Sequence, residues 1–487
     1  MDRAILFERF CMKNQKIKNI TPYLIFAVFC AIILTKPFGN GDELWNYSFA
    51  KNIVNGLIPY RDFNIVQTPL SAYIPALFMS IFGDGLFVHR IVGFLLLFAI
   101  TSLVYHLCKK STNSIFIGFI ASLFIACATL PFYVYNYNYL SALVVLVILE
   151  IETMEKRDSL CSNILVGILV GTSLLIKQNT GAMLMIANFV VCVFNLLKSK
   201  MKKKSQIARI LVSAVPMFLF TIYMLAVGAL DEFIDYAVIG ITTFVHRTTP
   251  FELILEAPFF LIYIAFMLFA YAFMLIRMWK EGATHQKVSG FMFAAAWSMV
   301  TYPLFDAFHL VCVFIVLVPA FCIFVKQKEY KRWEKVACIS IVVAISALSV
   351  LAFLPSDEEY VPSKLNNYEN IPIDSEADEN IRTVCEYIEQ KNEQGYRVRI
   401  TDDSAIAYKI PIDAYEKNWD MLLVGNVGTN TVEDLLASDE DCLYLVYKHT
   451  EDLGGQDHFE VIEYIKANYV KVEEVLVFDV YKKDATK

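Results

Sequence analysis

Along most of the chain, apolar residues come in long unbroken runs. They show neither the alternation of a half-buried strand nor the spaced stripe of a surface helix. The runs predict membrane-spanning helices at roughly 20–38, 86–108, 113–132, 134–154, 161–177, 180–197, 207–230, 254–277, 288–304, 309–325 and 336–354. Each lies near the roughly 20 residues that a helix needs to cross a bilayer. The connections sort by charge. Five basic residues precede the first run (Arg3, Arg9, Lys13, Lys16, Lys18), and Lys109–Lys110, Lys156–Arg157, Lys198–Lys204, Arg277–Lys287 and Lys326–Lys335 recur at every second connection. The positive-inside bias puts these connections and the N-terminus in the cytoplasm, and eleven spans then leave the C-terminal region outside.

The segment 69–82 is apolar but only about 14 residues long, too short for a span. If it crossed, every later lysine cluster would face outward. It therefore predicts a helix lying in the outer interface, with Tyr73, Phe78 and Phe82 at headgroup level. The first outer loop, 39–85, is then long and membrane-hugging, and loops of that length usually carry function.

After Pro355 the pattern changes to short alternating elements: helices over Glu379–Asn392, Thr431–Ser438 (opened by a Thr431-x-x-Asp434 capping box) and Phe459–Asn468, with strands at Tyr396–Thr401, Cys442–Tyr447 and two within Val470–Tyr481. The fold expectation is a mainly α, polytopic membrane body over 1–355 and a small α/β extracytoplasmic domain over 356–487. Composition agrees, with 57% of the 487 residues hydrophobic and only 19% charged, against about 25% charged in a soluble domain. The net charge of −7 hides +10 over 1–355 and −17 over 356–487, and so acidic a domain repels nucleic acid. Most of the eleven cysteines lie in or beside the apolar body. Cys385 and Cys442, in the acidic region, read either as a pair formed outside the cell or as two buried thiols.

Candidate chemistry gathers on the outer side. Asp42 and Glu43 follow the first span and open a helix whose apolar positions are Trp45, Phe49, Ile53 and Val54, ending before Gly56. An acidic first turn ordinarily serves the helix dipole. At a membrane surface, however, a partly desolvated carboxylate is also a better base. Lys51, Arg61, His89, Arg90, Lys177, Gln178, His246, Arg247, Asp306 and His309 fall on the same side. Cations there can merely snorkel, yet ionisable groups at membrane depth are functional candidates. Tyr133, Tyr135, Tyr137 and Tyr139 read as an interface belt.

Gly41-Asp42-Glu43, Pro59-Tyr60-Arg61-Asp62, Gln67-Thr68-Pro69-Leu70 and Phe82-Gly83-Asp84-Gly85-Leu86-Phe87-Val88-His89-Arg90 resemble the first-loop signature of GT-C membrane glycosyltransferases, nearest the protein O-mannosyltransferase and lipid A aminoarabinose transferase group. Lys177-Gln178 and Asp306-x-x-His309 are also similar to that family; Gln67-Thr68-Pro69 departs from it, since relatives often carry two prolines there. The resemblance implies transfer of a sugar from a polyprenyl-phosphate donor to an acceptor outside the cytoplasm, with inversion. Asp42 would be the base, and Glu43 would orient the acceptor or substitute for Asp42. Arg61, Arg90, Lys177 and His309 would hold the donor phosphate, with Gln178, Asp306 and Arg247 in support. No cofactor is required, and a divalent metal is compatible with the chemistry. A transporter or lipid flippase is the competing class, but the chain shows neither the internal repeat nor the midplane breaks usual there.

Overall fold

The computed structural model of the protein describes residues 20–38, 41–198, 202–242, 248–325, 340, 360–369, 371–401, 417–419, 422–424, 426–437, 441–449 and 457–483. The body is helical: α1 (Ile20–Thr35), α2 (Gly41–Val54), α3 (Leu70–Phe82), α4 (Leu86–Thr112), α5 (Ile115–Phe132), α6 (Tyr137–Glu152), α7 (Leu160–Leu174), α8 (Gln178–Lys198), α9 (Lys203–Ser213), α10 (Val215–Ala226), α11 (Leu230–Ile234), α12 (Pro250–Glu256), α13 (Phe260–Glu281), α14 (His285–Trp297) and α15 (Ala307–Cys322). Each of the first ten expected spans coincides with helix. The eleventh, 336–354, lies outside the described residues apart from position 340.

Among the described residues, α4, α5, α8, the α9–α10 unit and α13 are long and apolar enough to cross a membrane. The other spans are shorter than their apolar runs, and local polar groups set their ends. The Asn136 side chain accepts from the amides of Asn138 and Tyr139, so α6 starts three residues into its run. α7 stops at Leu174, leaving 175–177 as a turn into α8. α3 is 13 residues long and leaves Leu77, Ile81 and Phe82 exposed.

The bundle packs round α15, whose residues Leu310–Leu317 are all buried. Close approach uses glycine: a Cβ at Gly118 would sit 2.8 Å from the Tyr105 carbonyl of α4, and one at Gly167 would sit 2.6 Å from the Arg209 carbonyl of α9. At the end of the bundle bearing the lysine-rich connections, Glu152 is buried between Arg209 (Nη1–Oε1 2.5 Å) and His285.

The C-terminal region holds β1 (Tyr360–Pro362), β2 (Pro372–Asp374), α16 (Ser375–Glu393), β3 (Arg397–Ile400), α17 (Val432–Leu436), β4 (Cys442–Tyr447), α18 (Phe459–Asn468), β5 (Val470–Val475) and β6 (Phe478–Lys482). The larger sheet has order β3-β4-β6-β5, with β3 and β4 parallel and the other pairs antiparallel. The Thr431–Asp434 capping box is formed in both directions. α16 begins earlier than the pattern indicated, because the Asp374 side chain caps it on the Ala377 amide. Cys385 and Cys442 are buried in separate hydrophobic clusters.

This region docks on the first loop. Leu365, Tyr368, Ile371 and Ile373 pack with Leu44, Tyr47 and Ala50 of α2 and with Met79 and Leu86. The Phe38 amide donates to the Pro372 carbonyl (2.7 Å), and Lys51 Nζ bridges Asp84 (2.5 Å) and Asn367 (2.9 Å). A second contact joins Asn64 Nδ2 and Tyr236 OH to Asn418 Oδ1 (2.5 and 2.7 Å).

Candidate active site

Helix geometry separates the two adjacent acids. Consecutive residues point about 100° apart round a helix axis. Asp42, in the exposed first turn of α2, lines a cavity of about 410 Å³, whereas Glu43 turns inward and is 4% exposed. Its carboxylate takes Arg90 bidentately, Nε to Oε1 at 2.9 Å and Nη2 to Oε2 at 2.8 Å. Arg90 also donates to the carbonyls of Lys36 and Pro37. Glu43 is therefore not presented to an acceptor, nor Arg90 to a donor phosphate; together they lock α2 against α4 and the end of α1. Arg61 also stands apart from this cavity. It is exposed and forks onto its neighbour Asp62 (2.9 and 2.8 Å). Arg247 and His246 lie outside the described residues.

The cavity instead joins α2 to the α7–α8 turn and the start of α15. Lys177 is fixed by its Nζ, which donates to Asn138 Oδ1 (2.8 Å) and sits 5.1 Å over the Tyr137 ring. Gln178 uses its amide nitrogen on two backbone carbonyls, Val66 (2.7 Å) and Ala237 (3.0 Å), so it braces the wall as well as lining it. Asp306 caps α15 by accepting from the His309 amide (2.8 Å), and its other oxygen pairs with His309 Nδ1 (2.8 Å). That pairing leaves His309 Nε2 as the ring nitrogen available to a ligand. Burial pushes the Asp306 carboxyl up, but the His309 ring and the amides of Phe308 and His309 outweigh it and hold it below the usual carboxylate range.

The tyrosine belt resolves differently from the expectation. Tyr133 and Tyr135 are interior braces, their hydroxyls donating to the carbonyls of Gly93 and Ser71 (2.7 Å each), and Tyr139 is buried. Of the four, Tyr137 lines the cavity. Trp45 and Gln67 line it too; the first reads in the sequence as a packing position of α2 and the second as part of a motif. Among the described residues, no three His, Cys, Asp or Glu side chains converge as a metal-binding group.

Residues 66–225 match the family described as dolichyl-phosphate-mannose-protein mannosyltransferase. The chain resembles the GT-C membrane glycosyltransferases. In fold it is similar to ArnT from Cupriavidus metallidurans in the apo state, with a TM-score of 0.56 at 11% identity, covering 97% of this chain and 99% of that one. The structure of ArnT from the same organism bound to undecaprenyl phosphate aligns over 96% and 99% of the two chains at 10% identity, with a TM-score of 0.48. No curated protein matches the chain significantly. The segment matched to the mannosyltransferase family contains Gln67, Arg90, Lys177 and Gln178, while Asp42 and the Asp306–His309 turn fall outside it. The protein is thus a membrane protein with the GT-C fold.

Proposed function

We propose that the protein transfers a sugar from a polyprenyl-phosphate donor to an acceptor hydroxyl at the cavity beside α2, on the extracytoplasmic face. The observation that carries this reading is the meeting in one cavity of a carboxylate (Asp42), a fixed ammonium (Lys177) and a carboxylate-paired imidazole (His309) from three distant parts of the chain. The side assignment rests on the ends of the helices. The cavity lies where α6, α8 and α15 begin, whereas the basic residues 109–110, 156–157 and 198 lie at the far ends of α4, α6 and α8.

The chemistry then balances. The acceptor oxygen attacks the anomeric carbon as Asp42 takes its proton. The bond from that carbon to the phosphate oxygen breaks with its electron pair, and the carrier leaves as polyprenyl phosphate. Lys177 and His309 Nε2 stabilise the charge growing on that phosphate. A single displacement inverts the anomeric centre. The reading is tested by incubating the purified protein with a panel of polyprenyl-phosphate sugars and measuring released carrier. Wild type should release it and Asp42→Asn should not. Transport of substrate across vesicles with no carrier released would favour the transporter class instead.

A further inference from the structure

We propose that Asn138 is a positioning residue: it holds the Lys177 ammonium in place without neutralising it, and so reserves that cation's charge for the phosphate of the carrier. The proposal rests on the transferase reading and deepens it.

Four lysines and arginines of the helical body are buried among the described residues: Lys51, Arg90, Lys177 and Arg209. Three of them meet a carboxylate, Asp84 for Lys51, Glu43 for Arg90 and Glu152 for Arg209. Lys177 is the exception. Its Nζ donates to the amide oxygen of Asn138 (2.8 Å) and sits 5.1 Å over the Tyr137 ring, so both of these partners are neutral. Asp306 lines the same cavity, but its two oxygens are engaged by the amide and the Nδ1 of His309 (2.8 Å each).

The fold gives this cation little in return. A buried charge without a counter-ion is costly. Lys177 also immediately precedes α8, where its carbonyl accepts from the Gly181 amide (2.9 Å), and Asn138 lies in the first turn of α6. Helix N-termini carry positive partial charge, so the ammonium sits beside two ends that disfavour it. Its place is nonetheless fixed: the Lys177 amide donates to the Ser173 carbonyl (3.1 Å), and Asn138, 1% exposed, tethers the far end of the side chain. A cation pinned where the fold opposes it is explained by an anion that arrives from outside.

The proposed reaction explains why the tether is neutral. A sugar joined to polyprenol through phosphate carries one negative charge on that phosphate, and the departing monoester gains a second as the bond to the anomeric carbon breaks. An ammonium already paired with a carboxylate would offer that phosphate no net charge. An amide oxygen fixes the ammonium by one hydrogen bond and leaves its charge for the phosphate. Aspartate has the shape of asparagine, accepts the same bond and suits the first turn of a helix. Packing alone would therefore accept an acid at 138, whereas phosphate binding would not.

The test compares binding of bare polyprenyl phosphate by detergent-purified wild type, Asn138→Asp and Asn138→Ser, together with their melting. Asn138→Asp should melt no lower than wild type yet bind the carrier about tenfold or more weakly, the worth of one charged contact. Asn138→Ser removes the tether and adds no charge, so it should melt below Asn138→Asp but weaken binding by only about threefold. A role confined to packing gives the opposite order of binding, because aspartate keeps the bond that serine loses. That opposite order, an Asn138→Asp protein melting below Asn138→Ser, or a wild type that binds no polyprenyl phosphate overturns the role. Carrier release from sugar-bearing donors is scored separately. A wild type that binds bare carrier, with variants in the expected order, but releases none overturns the transferase reading and leaves the role of Asn138 standing. A releasing wild type whose Asn138→Asp form binds as tightly does the reverse.

Discussion

Replacing Arg90 by alanine separates a structural arginine from a phosphate-binding one. The Glu43 carboxylate and the Arg90 guanidinium are almost wholly buried, their side chains 6% and 2% exposed. Removing the arginine takes the bidentate partner from a buried carboxylate and leaves the carbonyls of Lys36 and Pro37 without that donor. Breaking a buried ion pair in this way costs about 3–5 kcal/mol, whereas replacing both members by apolar residues of similar volume is often neutral or better. Thermal unfolding in detergent, followed through a thiol-reactive dye, should place Arg90→Ala roughly 6–20 °C below wild type. The pair Glu43→Leu with Arg90→Met should recover most of that loss. Because neither side chain lines the cavity, the folded double variant should keep the donor KM within about threefold, the scale of an indirect effect rather than of a lost charged contact. An Arg90→Ala protein that melts like wild type but shows a much raised donor KM would refute this reasoning and return the guanidinium to the phosphate.

Lys177→Met should lower kcat/KM by roughly 10²–10³-fold, the usual cost of removing one preorganised charge-stabilising group, with melting unchanged. Asp42→Asn should lower carrier release by at least the roughly 10²–10⁴-fold that a general base supplies, without raising the donor KM. The depressed Asp306 carboxyl stabilises the fold above the unfolded value of about 3.9, and that stabilisation is lost as pH falls through the lower folded value. Wild-type melting should therefore drop as the pH is taken below 4, and Asp306→Asn, which keeps a good helix cap, should drop less over the same steps. Equal acid sensitivity of the two proteins would show that the pair with His309 does not contribute.

The body was legible in the sequence because bilayer crossing imposes one dominant requirement, and unbroken apolar runs report it directly. Local caps were legible for the same reason of proximity: Thr431 and Asp434 are three residues apart and make both of their expected bonds. The site was legible only in part. The acids at 42 and 43 read as a base and its helper at one site, and only the rotation of α2 against Arg90, 47 residues away, gives them opposite surroundings. Arg61 and Arg90 carried phosphate-binding chemistry, but the carboxylate that each meets is a matter of packing. The interior tyrosines were misread because an aromatic near a span's end suits either an interface or a buried hydroxyl with a carbonyl to find.

The helix that carries the proposed base is gripped at both ends by different parts of the molecule. Near its start, Glu43 fixes its rotation through α4 and the carbonyls that end α1. Toward its finish, Lys51 is 6% exposed and reaches Asp84 at the entry to α4 and Asn367 of the C-terminal region. Between these, Leu44, Tyr47 and Ala50 face Leu365, Tyr368 and Ile371. Asp42 is thus the exposed first turn of an otherwise buried element, and a displacement of the C-terminal region cannot leave that turn in place. None of the described residues of the acidic region lines the cavity, but the region packs against a wall that does. The same argument explains why the polar tip of α2 tolerates exposure. The cost of ordering it is met by burial along the rest of the helix.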